Sequence, residues 1–285
     1  MKIEVKQLTK KYKNKLALDD ISFTLEGPKI YGLLGRNGAG KTTIMDILAG
    51  LTLPSQGEIL IDGQPTFDNQ EVAGLVCLIK EDGNFKKDLK IKHILKSYSY
   101  FYPNWDENFA AQLLETFKLN KNMKAKTLSK GMASALGITI GLASKAPITI
   151  FDEPYIGMDA AARKLFYEIL LEEYENENRM FIFSTHLIDE ASLLFEEVII
   201  IQDGKLRLKE EAEKLRDETY AVSGPKDKVE TFLADKDIIR QQALAGMMTA
   251  YVRGNAIEAE SSGLSTEGIP IQDLMIHLTE ERQVG

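Results

Sequence analysis

Residues 30–51, "IYGLLGRNGAGKTTIMDILAGL", constrain this chain more than any other stretch. A continuous apolar run reads as a buried strand, a glycine-rich turn follows, and Ile44, Ile47, Leu48 and Leu51 then recur at helical spacing, with Gly50 as the helix stop. The turn "GRNGAGKT" (35–42) fits the pattern of a Gly, four residues, then Gly-Lys-Thr. Strand, glycine loop and helix in that order make a phosphate cradle. The glycines let backbone N–H groups converge on phosphate oxygens, and the helix N-terminus adds a favourable dipole. Lys41 should reach the β- and γ-phosphates and Thr42 should ligate Mg²⁺, with Gly35, Asn37, Gly38, Gly40 and Thr43 completing the cofactor-binding loop.

The rest of the first two hundred residues alternate in the same way. "ITIF" (148–151), "MFIFS" (180–184) and "VIIIQ" (198–202) are further apolar strands, with helical stretches at 160–175 and 187–196 between them. "DG" at 203–204 signals a hairpin into "KLRL". Strands this apolar, alternating with helices, predict an α/β fold with a mostly parallel central sheet. Residues 85–143 differ, being mostly helical and rich in aromatics such as "SYSYFYPNW", and read as a helical insertion. After about residue 212 the pattern changes again: "TYAVSG", "KVETFLADK", "QQALAGMMTAYVRG" and "IQDLMIHLTEE" predict a small α+β extension ending in an amphipathic helix. The expected domains are therefore 1–212 and 213–285, the second dimerising, regulatory or a plain packing extension.

A net charge of -8 argues against nucleic acid as the main partner, because phosphate backbones select clustered Lys and Arg. The single cysteine, Cys77 in "GLVCLI", reads as a buried strand thiol and fits a reducing compartment. The N-terminus lacks the apolar stretch of a signal peptide, and no run reaches the roughly 18 apolar residues of a membrane span. The chain reads as cytoplasmic, with any membrane role supplied by a partner.

"ITIFDEP" (148–154) places two carboxylates after a strand. Asp152 suits a Mg²⁺ shell, and Glu153 can polarise an attacking water. With these motifs in hand, residues 1–210 resemble the nucleotide-binding subunits of ATP-binding cassette (ABC) transporters. The order of motifs carries the resemblance: the phosphate loop at 35–42, "LSKGM" at 128–132, "FDEP" at 151–154, "GMD" at 157–159 and "STH" at 184–186. It implies an ATPase of the P-loop type, with ATP and Mg²⁺ as ligands. It also implies Tyr12 stacked on adenine, His186 on the γ-phosphate beside the catalytic Glu153, and Asp159 in a loop that crosses between subunits.

The family pairs two subunits head to tail, so the helix mouth at Ser129 and Gly131 is expected to cap ATP held by a second cassette, in a homodimer or a heterodimer. Ser129 can donate its hydroxyl, and Gly131 lets backbone approach closely. Two departures stand out. Lys130 and Met132 replace the usual Gly and Gln of Leu-Ser-Gly-Gly-Gln, and "LIKEDG" places Glu81 where a Gln usually senses Mg²⁺, with Lys80 one register away. A carboxylate is a competent Mg²⁺ ligand.

The resemblance further implies a separate membrane-spanning permease at the inner face of the plasma membrane. It is nearest to bacterial exporters of drugs, antibiotics and antimicrobial peptides. The aromatics of "FYPNWDENF" (101–109) read as helix packing or as the permease's docking platform. His93 and His277 match no motif. The competing expectations are a non-hydrolysing, nucleotide-gated subunit and a soluble ABC ATPase of translation or DNA repair. A small-molecule phosphotransferase leaves the later motifs unexplained.

Overall fold

The computed structural model describes residues 1–279. The chain opens with a hairpin of β1 (Lys2–Tyr12) and β2 (Lys15–Glu26), followed by β3 (Ile30–Leu34), α1 (Lys41–Leu48), β4 (Gln56–Ile61) and β5 (Gln64–Pro65). β2, β1, β4 and β5 form an antiparallel sheet, which no continuous apolar run announces in the sequence. The reason is visible in its pattern. Ile3, Val5, Ile59 and Ile61 are buried while the residues between and beside them are exposed or half-buried, so only one face of the sheet is fully buried. That face packs on Ile44, Met45, Ile47 and Leu48 of α1.

A second sheet carries the chemistry. Its order is β10-β9-β3-β8-β7-β6, from β6 (Val76–Ile79), β7 (Ile148–Asp152), β8 (Met180–Ser184), β9 (Glu197–Gln202) and β10 (Lys205–Glu211). All its pairings are parallel except β9 with the edge strand β10. β3, β7 and β8 are buried along their whole length because layers cover both faces. The β9–β10 hairpin turns at Asp203 and Gly204, with φ of 49° and 76°, as a two-residue turn with positive φ at both positions requires. Parallel pairing brings the C-terminal ends of β3, β7 and β8 to one edge, where ligands bind in such sheets.

After α2 (Gln70–Ala73) and β6, residues 85–143 are helical as expected, in α3 (Ile91–Phe101), α4 (Glu107–Thr116) and α5 (Lys130–Ala143). Cys77 is buried in β6. The insertion is pinned to the sheet by Arg179, which is buried and donates to the carbonyls of Gly141, Leu142 and Ala146 and to Thr149 and Glu173. Removing one partner from so buried a charged network costs about 3–5 kcal/mol.

α6 (Ala160–Asn176) matches the sequence expectation; the stretch 187–196 does not. Only α7 (Ile188–Ala191) is α-helical there, followed by one tight turn over Ser192–Leu194. Phe195 must seat its ring where a Cβ on Gly32 would stand, 2.6 Å away, and this draws the chain into β9 after barely two turns.

The remaining elements are α8 (Ala212–Asp217), β11 (Thr219–Pro225), α9 (Lys226–Phe232), β12 (Asp237–Leu244), β13 (Met247–Arg253), α10 (Ile257–Ser261), β14 (Ser265–Gly268) and α11 (Ile271–Thr279). From β11 to β14 the chain runs β-α-β-β-α-β, and the antiparallel sheet order is β12-β13-β11-β14. This is the split βαβ arrangement. It has its own core, centred on Val222, Val229, Ala250 and Val252. α11 instead sends Ile271 and Leu274 into the main core, and Gln272 donates to Asp189 of α7 at 2.8 Å. Glu280 and Glu281, the end of the expected amphipathic helix, lie outside the described residues.

Candidate nucleotide site

The loop between β3 and α1 is shaped by glycines that nothing else can replace. Gly35 has φ of 150°, and a Cβ there would stand 2.2 Å from the Ile201 carbonyl; at Gly40, φ is 114° and the Ala17 carbonyl would be 2.8 Å away. The loop is thus clamped between the β9 end and the first hairpin. Lys41 turns its ammonium onto the carbonyls of Gly35 (2.7 Å) and Arg36 (3.3 Å). Burial lowers its pKa, against the pull of Glu153 and Asp152. A poorly solvated cation that rests on carbonyl dipoles, with carboxylates near but not bonded to it, can turn to a polyphosphate.

Around this loop lies a cleft of about 450 Å³. The structure brings to it Tyr12, Asn37, Gly38, Gly40, Lys41, Thr42, Thr43, Glu81, Asp152 and Glu153. Tyr12, at the end of β1, is 45% exposed and stands under the Lys10 ammonium at 4.8 Å from its ring centre. Glu81 faces the cleft, while Lys80 is engaged by Asp46 at 2.8 Å.

Thr42 donates its hydroxyl to Asp152 at 3.0 Å, so two hard oxygens meet at the loop's edge. Among the described residues no group of three or more His, Cys, Asp or Glu side chains could hold a metal alone. A hydroxyl and one or two carboxylates fit Mg²⁺, which keeps waters and takes further oxygens from substrate phosphate. Burial raises the Asp152 pKa from its ordinary 3.8, against the Thr42 and Ser184 hydroxyls and the Lys41 charge.

Glu153 follows β7 in a left-handed conformation, φ 52°, which turns its side chain out of the strand's register. Its carboxylate is 2.7 Å from Nδ1 of His186, which stands just past β8. Burial raises the Glu153 pKa, and the His186 contact opposes the shift without cancelling it. A carboxylate moved toward neutral pH and oriented by a ring nitrogen is equipped to accept a proton from water.

Gly35 and His186 stand behind the lining, touching Lys41 and Glu153, whereas Ser129, Gly131 and Asp159 lie away from the cleft. Each has an occupation in its own fold. Ser129 caps α5, accepting from the Met132 N–H at 3.2 Å, and Asp159 caps α6, accepting from Ala162 at 2.8 Å. The closest approach that Gly131 permits is internal: a Cβ there would stand 2.4 Å from the Gly157 carbonyl, and one on Gly157 would meet Lys130 Cβ at 2.7 Å. Two glycines therefore lock the α5 mouth to the loop before α6.

Several groups were not anticipated from sequence. Lys15 lines the cleft from the hairpin, and Ser184 lines it from the end of β8. Arg163 of α6 makes a two-pronged bond to Glu190 of α7 (2.8 and 2.7 Å) and donates to the Met158 carbonyl, tying the loop before α6 to the segment after His186. These are contacts between distant segments, and no local spacing announces them.

Fold and cleft together define a P-loop nucleotide-binding α/β cassette. Comparison with known proteins narrows the class. Residues 18–156 match the family described as ABC transporter. The chain is 33% identical over 209 residues to an uncharacterized ABC transporter ATP-binding protein of Methanocaldococcus jannaschii, a match spanning 72% of this chain and 75% of that one. It is 31% identical over 209 residues to Nod factor export ATP-binding protein I of Burkholderia orbicola, spanning 71% and 68% of the two chains. The fold is also that of a solved dimeric ATP-binding cassette in a post-hydrolysis state bound to ADP and Pi, with a TM-score of 0.67, 22% identity, and coverage of 74% of this chain and 98% of that one. The chain belongs to the ATP-binding proteins of ABC transporters, and it is an ATPase of that family.

Proposed function

We propose that two cassettes close around ATP, each α5 mouth covering the nucleotide in the other's cleft, and that hydrolysis reopens them to drive a separate permease in export. The observation that carries this reading is the division within one chain. The loop, Asp152 and Glu153 gather at one cleft, with His186 reaching it through its contact with Glu153, whereas Ser129 and Asp159 are capping residues that neither line it nor touch its carboxylates. A serine that accepts from its own helix still has its O–H free to donate outward.

In this reading Lys41 exchanges two carbonyls for the β- and γ-phosphates, and Tyr12 stacks on the base. Thr42, Asp152 and Glu81 would hold Mg²⁺, which neutralises charge on the phosphate oxygens. Glu153 takes a proton from the attacking water, and His186 fixes the carboxylate while facing the γ-phosphate. The relative named for Nod factor export supports the outward direction. We assign the cargo to the drug, peptide or lipid-like class. The permease holds the chain at the inner face of the plasma membrane, with Tyr100 and Phe101, 76% and 74% exposed, as its docking platform.

Residues 213–285 are read as a regulatory or dimerising module, joined through Gln272 to α7 next to His186. Both halves of the site are present in this one chain, so a homodimer suffices; pairing with a different cassette is the other arrangement. The test is ATP turnover by the purified chain beside Glu153→Gln, with light scattering in the presence and absence of ATP. A Gln variant that is inactive and dimeric only with ATP supports the reading; one that turns over like wild type removes Glu153 from the chemistry.

A further inference from the structure

The helical insertion carries a charge opposite to that of the molecule. Residues 86–130 contain ten lysines and no arginine against four acids, in a chain whose net charge is -8. The fold concentrates these lysines further. The segment before α3 runs beside the segment before α5: Lys92 N–H donates to the Lys121 carbonyl at 2.9 Å, Lys126 N–H donates to the Lys87 carbonyl at 2.7 Å, and Lys90 and Lys124 sit directly opposite as an antiparallel bridge. Six lysines thus share two adjacent stretches of backbone.

Among the described residues, Lys87 and Lys126 have acidic partners, Asp82 at 3.4 Å and Asp88 at 3.3 Å, in exposed pairs. Lys90, Lys92, Lys121 and Lys124 have none. Like charges directly opposite on paired backbone are destabilising, so the cluster costs the isolated chain stability and asks for an external anion.

We propose that this lysine cluster is a docking surface for the anionic phospholipid headgroups of the membrane in which the permease sits. Three features favour lipid. The cations are all lysines, mobile point charges suited to a diffuse layer of phosphates, with none of the planar forks that read a defined carboxylate or phosphate bidentately. α3 starts in the cluster at Lys92 and Lys96 and ends at exposed Tyr100 and Phe101, the permease's docking platform, so the cluster lies within one helix of about 16 Å from the membrane protein. The acidic remainder of the chain repels a long polyanion such as RNA, whereas a flat anionic surface need touch only this lobe.

The proposal rests on the membrane placement argued above, but vesicle binding needs no permease, so either can fail alone. The full chain is sedimented with phosphatidylcholine vesicles and with vesicles in which about a third of the lipid is phosphatidylglycerol, at low and high salt. Binding to the anionic vesicles alone, weakened by salt, is expected. The variant Lys90→Gln/Lys92→Gln/Lys121→Gln/Lys124→Gln should lose at least about tenfold in vesicle affinity, since each lysine near an anionic surface contributes roughly fivefold. Its ATP turnover should be retained, and its Tm should equal or exceed that of wild type, because the repulsion between the lysines is removed.

Equal partition to both vesicle types, or undiminished binding by the variant, overturns the proposal. So does a wild-type chain that ignores vesicles and instead binds an RNA oligonucleotide through the same lysines. A chain that binds vesicles but fails to assemble with a permease overturns the membrane placement and leaves the lipid surface standing.

Discussion

The phosphate-loop cleft and the mouth of α5 are two parts of one machine carried by one chain, and they are built on opposite plans. In the cleft, groups are held short of their final partners: Lys41 rests on carbonyls, Thr42 and Asp152 rest on each other, and the buried Asp152 and half-buried Glu153 are carboxylates with raised pKa values. At the α5 mouth the groups are committed. Ser129 and Asp159 cap helices, and Gly131 is filled by Gly157. The cleft stores electrostatic tension that a ligand relieves, whereas the mouth is finished packing that can be presented to another molecule without rearrangement.

The largest expected effect lies on the cleft side. Glu153→Gln should lower ATP turnover by about 10²–10⁴-fold, the range for loss of a general base, with nucleotide binding kept. Turnover within a few-fold of wild type would mean that the cleft's tension has no catalytic use.

The next test aims at the comparison itself. Lys41→Ala disables a cleft and leaves the mouth intact; Ser129→Arg does the reverse. Each variant alone should be inactive. Mixed in equal amounts, they should recover part of the wild-type turnover, because a mixed pair combines the good cleft of one chain with the good mouth of the other. If each mouth served its own chain, every cleft in the mixture would stay incomplete and no activity would return.

Gly131→Ala probes the finished packing. The new methyl has no room against the Gly157 carbonyl, so the α5 mouth and the loop before α6 must part, and a stability loss of about 1–3 kcal/mol by denaturant unfolding is expected. Ser129→Ala removes only the cap of α5 and should cost about 1 kcal/mol. An unchanged midpoint in Gly131→Ala would show that the two segments are not locked together.

How far the sequence announced these two plans follows from their range in the chain. The cleft was legible because its parts are local signals: strand, glycine loop and helix within 30–51, and acids at the end of an apolar strand in "ITIFDEP". Parallel pairing then does the assembly, and it obeys general rules. Ser129 was legible as the mouth of a helix for the same reason, whereas its role as that helix's own cap shows only in the fold.

The Gly131–Gly157 contact, the Arg163–Glu190 bond and the place of Lys15 were not legible, since each joins segments whose spacing in sequence carries no period. The one-faced antiparallel sheet was missed because its strands alternate and never form the continuous apolar runs that betray β3, β7 and β8. The split βαβ extension was read as α+β from its element order, but its strand order is a property of the folded chain alone.

The smallest expected effect separates the two plans by pH. Glu153 has a folded-state pKa raised above its ordinary 4.5, chiefly by burial. The folded protein therefore holds this proton more tightly than the unfolded chain does. Ionisation costs stability above the folded pKa, and that cost is relieved as pH falls through it toward 4.5. An amide carries no charge at any pH. Without nucleotide, Glu153→Gln should thus melt above wild type at pH 7–8, and its advantage should shrink as the pH is lowered toward 4.5. Ser129→Ala removes a neutral hydrogen bond, so its deficit should stay constant over the same range. Thermal melts of the three proteins across that window decide the matter. Parallel curves would show that burial at Glu153 is fully compensated by His186, and the contrast between a tense cleft and a settled mouth would then have to rest on Lys41 and Asp152 alone.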